Sequence, residues 1–317
     1  MTELPRLILT RESVQQGVTA KDLAKLSRSG VLFRVRQGVY VDGAAWKSLK
    51  SWEQYRVCVN AAAETFVAPT VFAWHSAATV WGIPTIGQRQ AVHALTLKSD
   101  GGRSRAGVTR HFADPRGVTV HRRDGLLVTG RLRTVLDLAA FTPFVEAIVP
   151  LDHVLRTDSR LGFSAFTKDA LRAGIEGNYT AAAARRIMAA VEFADPQSGS
   201  AGESYSRAQM HVAGFQAPVL QFEVCDASGL AGYTDFYWAG VRVAGEFDGV
   251  DKYLKPEYLN GRTASQAVVD EKFREDRIRA VGSGVVRWVW ADLMEPGRLE
   301  RKLAAAGVPR RRARSAL

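Results

Sequence analysis

Four acidic residues, Asp235, Glu246, Asp248 and Asp251, lie close together in the stretch YTDFYWAGVRVAGEFDGVDK between Tyr233 and Lys252. Alternation with Val241, Val243 and Phe247 predicts two strands joined at Ala239-Gly240. Residues two apart on a strand face the same way, so Glu246 and Asp248 project together. A hairpin that sets Asp235 opposite either Ala244 or Glu246 brings Asp235 to that face as well. Carboxylates gathered on one sheet face repel one another unless a cation lies between them. An all-oxygen ligand set suits a hard divalent ion, Mg2+ or Mn2+. Such a centre hydrolyses phosphodiesters by activating a water and stabilising charge on the phosphate. Asp235, Glu246 and Asp248 are the expected metal ligands, and Glu203, near the start of the preceding helix, can complete the shell. Lys252 or Lys272 can orient the water or stabilise developing charge. Lys272, Asp276 and Arg279 share a helix face at i, i+4 and i+7, with Phe273 and Ala280 available for packing. Alternatively, Lys272, Arg274 and Arg277 hold a DNA backbone through its phosphates. The same letters also fit solvent-facing acids beside Asp-Gly turns and an ordinary Lys272–Asp276 helix pair.

These side chains need a sheet beneath them. Glu203–Ala213 reads as a helix ended by Gly214 and Val219–Val224 as a strand, with the hairpin next. Ala267–Val281 reads as a helix, VVRWVWADL as an apolar strand and Glu300–Ala306 as a closing helix. That order is an α/β layering around a central sheet, assigned to residues 203–317 with a basic tail. The stretch FADPQSGSAG before it shifts to small, turn-forming residues and reads as a linker over 193–202.

Residues 46–192 read as a central α/β domain. Trp52–Ala63, Ser76–Trp81, Thr134–Ala140 and Val145–Leu155 have helical patterns, and Val92–Leu97 and Gly117–Arg122 read as strands. The basic loop KSDGGRSRAG, Lys98–Gly107, lacks the Walker A pattern. His75, His93, His111, His121 and His153 show neither HxxxH nor HExxH spacing, so each reads as a surface or core histidine.

Residues 1–45 predict a winged helix-turn-helix. Arg6–Gln16 has helical spacing, and Thr19 opens a second helix with Asp22 as its capping-box partner. VLFRVRQGVYV follows as two strands turning at Gln37-Gly38. A second helix can enter the major groove while wing arginines reach phosphates or the minor groove. The candidate DNA contacts are Thr19, Lys21, Lys25, Arg28, Arg34 and Arg36; the plainer reading leaves these charges solvated.

Bulk properties agree with a polyanionic partner, nucleic acid first. The formal net charge is +11 over 317 residues. Residues 97–133 hold nine Lys/Arg against three acids, and the last twenty residues hold seven against one, ending in Arg310, Arg311, Arg312 and Arg314. Two cysteines without zinc or disulfide spacing fit a reducing cytoplasm. No apolar run of about 18 residues marks a membrane span, and the start MTELPRLILTRES is too short and polar for a signal peptide.

Two resemblances follow. Residues 203–293 resemble the very-short-patch-repair-like endonuclease domains of the restriction-endonuclease-like PD-(D/E)xK superfamily. They do so through Glu203, Asp235 in YTDFYW, Glu246-Phe247-Asp248-Gly249, Lys252-Tyr253 and Glu271-Lys272-Phe273-Arg274-Glu275-Asp276-Arg277 before VVRWVWADL. Residues 1–155 resemble bacterial AbiEi-type antitoxin or transcriptional-regulator proteins through ILTRESVQQGV, FRVRQGVYV, AWHSAATVWGIP and RTVLDLAA. Together they imply an α/β multidomain protein: a winged-helix DNA reader joined to a Mg2+-dependent endonuclease-like domain serving defence or repair. Asp248 stands where the superfamily pattern has lysine, which shifts that role to Lys252 or Lys272 or leaves the domain inactive. The AbiEi-type resemblance implies the alternative, a sequence-specific regulator or antitoxin that needs no catalysis, with a cognate toxin or another defence protein as a further partner.

Overall fold

The computed structural model describes residues 3–87, 91–96, 107–113, 117–249 and 264–311, and between 264 and 271 only Gln266 has a described side chain. The elements up to the first larger sheet are β1 (Ile8–Leu9), α1 (Thr10–Gln15), α2 (Ala20–Arg28), β2 (Leu32–Arg36), β3 (Val39–Asp42), α3 (Gly43–Ser48) and α4 (Ser51–Ala63). Next come β4 (Val71–Phe72), α5 (Trp74–Trp81), β5 (Val92–Thr96), β6 (Val108–Phe112), β7 (Val120–Arg123), β8 (Leu126–Thr129) and α6 (Arg131–Phe141). The remainder is α7 (Phe144–Val154), α8 (Lys168–Ala173), α9 (Ala181–Phe193), α10 (Ala201–Val212), β9 (Val219–Asp226), β10 (Gly229–Trp238), β11 (Val243–Phe247), α11 (Ala264–Ala280), β12 (Gly284–Trp288), α12 (Trp290–Met294) and α13 (Arg298–Ala305). The protein is thus a mixed α/β chain with three sheets among the described residues. None of their helices is long and apolar enough to cross a membrane.

The chain forms two units, Met1–Thr142 with Asp158–Ala189, and Pro143–Thr157 with Ala190–Leu317. In the first, Thr19 caps α2 through a reciprocal capping box with Asp22. Leu23 is buried beneath α2, while Lys21, Lys25 and Arg28 form an exposed stripe at i, i+4 and i+7. β2 and β3 make an antiparallel ribbon, turned by Gly38 at φ 78°. The expected helix from Arg6 begins later. Ile8 and Leu9 pair with Tyr40 and Val39 instead, because a strand buries Leu9 against the ribbon. A five-stranded sheet, ordered β6-β5-β4-β8-β7, completes this unit.

The second unit carries a four-stranded sheet, ordered β12-β11-β10-β9, antiparallel except for the parallel β11–β12 pair. One face buries Phe236, Trp238, Val243, Phe247 and Trp288 with Met210 of α10. A Cβ on Gly202 would have no room against the Phe247 ring, so α10 can approach this closely only with glycine there. The other face buries Tyr237 and Ala244 against Ile278 of α11.

Three expectations are corrected. VVRWVWADL is not one strand: β12 ends at Trp288, and Asp292 takes the Val289 N–H at 3.0 Å to start α12. Residues 193–202 are no loose linker. The Asp195 N–H donates to buried Asp152 at 2.7 Å, buried Ser198 accepts from Arg207 at 3.2 Å, and Ser200 caps α10. The boundaries drawn at 45, 192 and 203 also differ from the two units, since α7 packs with α10. A bidentate pair between Arg207 and fully buried Asp152, both contacts 2.9 Å, fastens those helices.

Candidate functional site

The register of the β10–β11 ladder decides where the acids go. Phe236 pairs with Gly245 and Tyr237 with Ala244, so Asp235 falls opposite Glu246 on the face that carries Tyr237 and Ala244. At that end Asp235 Oδ2 accepts the Phe247 backbone N–H at 2.8 Å, so a side chain takes over where the backbone ladder stops. β11 pairs in parallel with β12, Glu246 beside Arg287. Asp248, just past the strand, donates its N–H to the Trp288 carbonyl at 2.9 Å. Its carboxylate meets Arg287 Nη1 at 3.2 and 3.3 Å. Asp235 and Glu246 therefore share one face, whereas Asp248 lies just beyond the end of β11, where Arg287 holds it.

The cations beside them are guanidiniums. Arg274 of α11 places Nη2 3.1 Å from Glu246 Oε1, without hydrogen-bond alignment, and donates from Nη1 to the Tyr233 carbonyl at 2.8 Å. Arg287 bridges Asp248 to Glu275 of α11. Glu246 is only 7% exposed, and its carboxyl is pushed up to about 7. Burial is the main cause and the neighbouring Asp235 charge adds to it, while Arg274 and Arg287 pull the other way. A carboxyl in that range can take up or give off a proton near neutral pH. Its buried Oε1, unsatisfied by any aligned N–H, is also the kind of oxygen that suits a cation. Asp235 and Glu246 thus fit as two carboxylate ligands; among the described residues no three His, Cys, Asp or Glu side chains converge as a ready ligand group.

The other expected residues are placed differently. Glu203 lies on α10, which packs on the opposite sheet face. There Oε2 accepts the Gly199 N–H at 2.7 Å and the Gln221 amide at 3.1 Å, so it serves the helix start rather than the Asp235 cluster. Lys272 sits on the exposed side of α11 with Phe273, Asp276 and Arg279. The side of α11 that meets the sheet carries Arg274 and Ile278, which leaves Phe273 65% exposed and not packed. Arg277 is taken up by Asp226 at 2.6 and 2.8 Å, which occupies it as a phosphate contact. Lys252 lies outside the described residues, as do Asp251, Tyr253, Lys98–Ala106, Arg312, Arg314 and the side chain of Glu271. In the first unit the Thr19 hydroxyl is used in capping and Arg36 is half-buried, while Lys21, Lys25, Arg28 and Arg34 stand exposed.

Two features had no signal in spacing. Arg287 was hidden in an apolar run, and only its register beside Glu246 reveals it. The fold also gathers His75, His93 and His111 from α5, β5 and β6. Their spacing in the sequence marks each only as a surface or core histidine.

No protein-family model matches the chain. It is 27% identical over 234 residues to the uncharacterized proteins Rv2248 and MT2308 of two Mycobacterium tuberculosis strains, covering 72% of this chain and 78% of theirs. The crystal structure of the Rv2827c protein from Mycobacterium tuberculosis matches 70% of this chain and 84% of its own, at 15% identity and a TM-score of 0.38.

Proposed function

We propose that this is a cytoplasmic bacterial DNA-binding protein whose C-terminal sheet carries a Mg2+-dependent centre for hydrolysing DNA phosphodiesters. One observation carries the reading: buried Glu246 faces Asp235 across two strands, with its carboxyl raised to about 7 and Oε1 lacking an aligned donor. Perturbed acids of this kind concentrate at functional sites. The helix, three strands, helix, strand order supports the restriction-endonuclease-like reading. The exposed stripe Lys21, Lys25 and Arg28, beside Arg34 on the ribbon, supports a winged helix that reads DNA. Asp235 and Glu246 would hold the ion, which supplies a water activated near neutral pH and charge stabilisation at the phosphate. Asp235 is oriented by the Phe247 N–H, and Arg274 stands 3.1 Å from Glu246. Lys252 would stand in for the lysine that Asp248 replaces.

A second reading has its own support. Arg274 and Arg287 already neutralise the acidic face, and Asp248 is tied to Arg287. On that reading the sheet is a DNA or partner clamp within a regulator or antitoxin. A cleavage assay with Mg2+ or Mn2+, beside EDTA and Asp235→Ala, separates the two. Metal-dependent nicking lost in Asp235→Ala is expected. Absence of nicking on single-stranded, double-stranded and mismatched DNA gives the regulator; nicking retained in Asp235→Ala removes the site assignment.

A further inference from the structure

The histidine cluster of the first unit is built more tightly than core packing alone asks. His93 Nδ1 and His111 Nε2 lie 2.8 Å apart and share one proton between them. The His75 ring is 5.3 Å from the His93 ring, centroid to centroid. His75 Nδ1 and His93 Nε2 are both buried with no hydrogen-bond partner, on side chains only 5% and 9% exposed. Two orphaned imidazole nitrogens in neighbouring buried rings are rare, because each gives up its hydration and gains no partner in return. The backbone around them is pinned: the His93 N–H donates to Ser76 Oγ at 2.8 Å, and the Ala73 N–H to the His93 carbonyl at 3.1 Å. Trp74 adopts φ 53°, a conformation that is an outlier for so bulky a residue. It places its indole on the His111 ring at 3.8 Å and the Phe141 ring at 4.8 Å. Such strain persists only where the surroundings impose it, and it concentrates at ligand sites.

The tautomers decide what could satisfy these nitrogens. If His93 Nδ1 carries the shared proton and donates it to His111 Nε2, then His93 Nε2 presents a bare lone pair. The reverse arrangement buries an N–H with no acceptor. Metal-bound histidines take the first form, donating their second ring nitrogen to a neighbour that fixes the tautomer. No described carboxylate is paired with these three rings, so hard ions such as Mg2+ and Ca2+ find no oxygen ligands, whereas imidazole suits the borderline transition metals.

We propose that His75 Nδ1 and His93 Nε2 bind a first-row transition-metal cation of the Zn2+ or Cu2+ type, with His111 as the positioning residue that holds His93 in the ligating tautomer. Two nitrogens come from the protein, and water completes the coordination where His111 is only partly buried.

The test uses the full-length chain stripped with a chelator. Zn2+ is titrated calorimetrically, and Cu2+ is followed by quenching of tryptophan emission, since Trp74 stacks on His111. A single saturable site is expected, indifferent to excess Mg2+ and unchanged in Asp235→Ala, which separates it from the carboxylate face. His75→Gln and His93→Gln should each abolish it. His111→Phe should weaken it by about 10- to 100-fold, the usual effect of losing a ligand's orienting partner. Near-UV circular dichroism shows whether each variant is folded. If a variant is not, the Cu2+ electron paramagnetic resonance spectrum of the unmutated chain decides: nitrogen hyperfine structure supports the site, and its absence overturns it. Failure of Zn2+ and Cu2+ to saturate the unmutated chain, or binding unchanged in both glutamine variants, overturns the proposal as well.

Discussion

The histidine cluster in the first unit and the carboxylate face in the second bury titratable groups in opposite ways. His75 and His93 carry no partner on one ring nitrogen and escape the desolvation of charge by giving up their protons. Glu246 sits beside a second acid. It retains charge only with help from Arg274 and Arg287, and even so its carboxyl rises to about 7. An imidazole starts near neutrality, so burial makes it neutral at little expense at pH 7. A carboxylate starts far below, so the same burial calls in guanidiniums. The difference teaches that pH acts on the two regions with opposite sign.

The sharpest contrast uses a buried acid whose pairing is complete. Asp152 is fully buried against Arg207 with two 2.9 Å bonds. Asp152→Ala leaves that arginine buried and uncompensated, and urea unfolding should show a loss of about 3–5 kcal/mol. A loss below about 1 kcal/mol would mean that pairing is not what lets this unit bury charge.

Acidification should strike the first unit next. His75 and His93 fall from 6.5 to about 4 and about 3 on folding, so the unfolded chain binds more protons across pH 3 to 6.5. Their contribution is full above pH 6.5 and is lost as pH falls, by up to about 1.4 kcal/mol per pH unit for each histidine. Hydrogen exchange of the β5 and β6 amides, read against pH, tests this. A slope unchanged in His93→Gln would contradict it.

Glu246 works the other way. Its carboxyl is raised from 4.5 to about 7, so the folded chain binds more protons between those values and stability falls as pH rises through them. Glu246→Gln should therefore stabilise the second unit by about 1–3 kcal/mol at pH 8 and by nothing below pH 4.5. A destabilised variant at pH 8 would show that the Arg274 ion pair outweighs burial, and the comparison would lose its second half. The smallest effect belongs to an exposed pair. Arg11 and Glu64 keep side-chain exposures of 60% and 41%, so Arg11→Ala should change stability by less than about 1 kcal/mol.

Local structure was well represented in the letters. The capping box of Thr19 and Asp22 and the ribbon turning at Gln37-Gly38 form as their spacing predicts, and the acidic hairpin forms with a longer turn, 239–242, that leaves Val241 outside β11. These depend on contacts a few residues apart, which composition and periodicity encode. The grouping of Asp235 with Glu246 was legible as a condition on register, and the register that forms meets it. Lys272 misled because helical spacing gives a face but not its direction. Only packing shows that Arg274 and Ile278 turn toward the sheet. Glu203 misled because a helix that precedes a sheet can pack on either face of it.

By itself, the sequence determined a basic chain of mixed α/β elements, with acids placed to share a strand face two residues apart. It did so because side-chain direction in a strand alternates with period two and caps act over three residues. Tertiary structure alone decided which charges meet those acids, which face Glu203 serves, and that three histidines from one helix and two strands stand together. Those outcomes depend on strand register and helix placement between residues far apart in the chain, which no local spacing specifies.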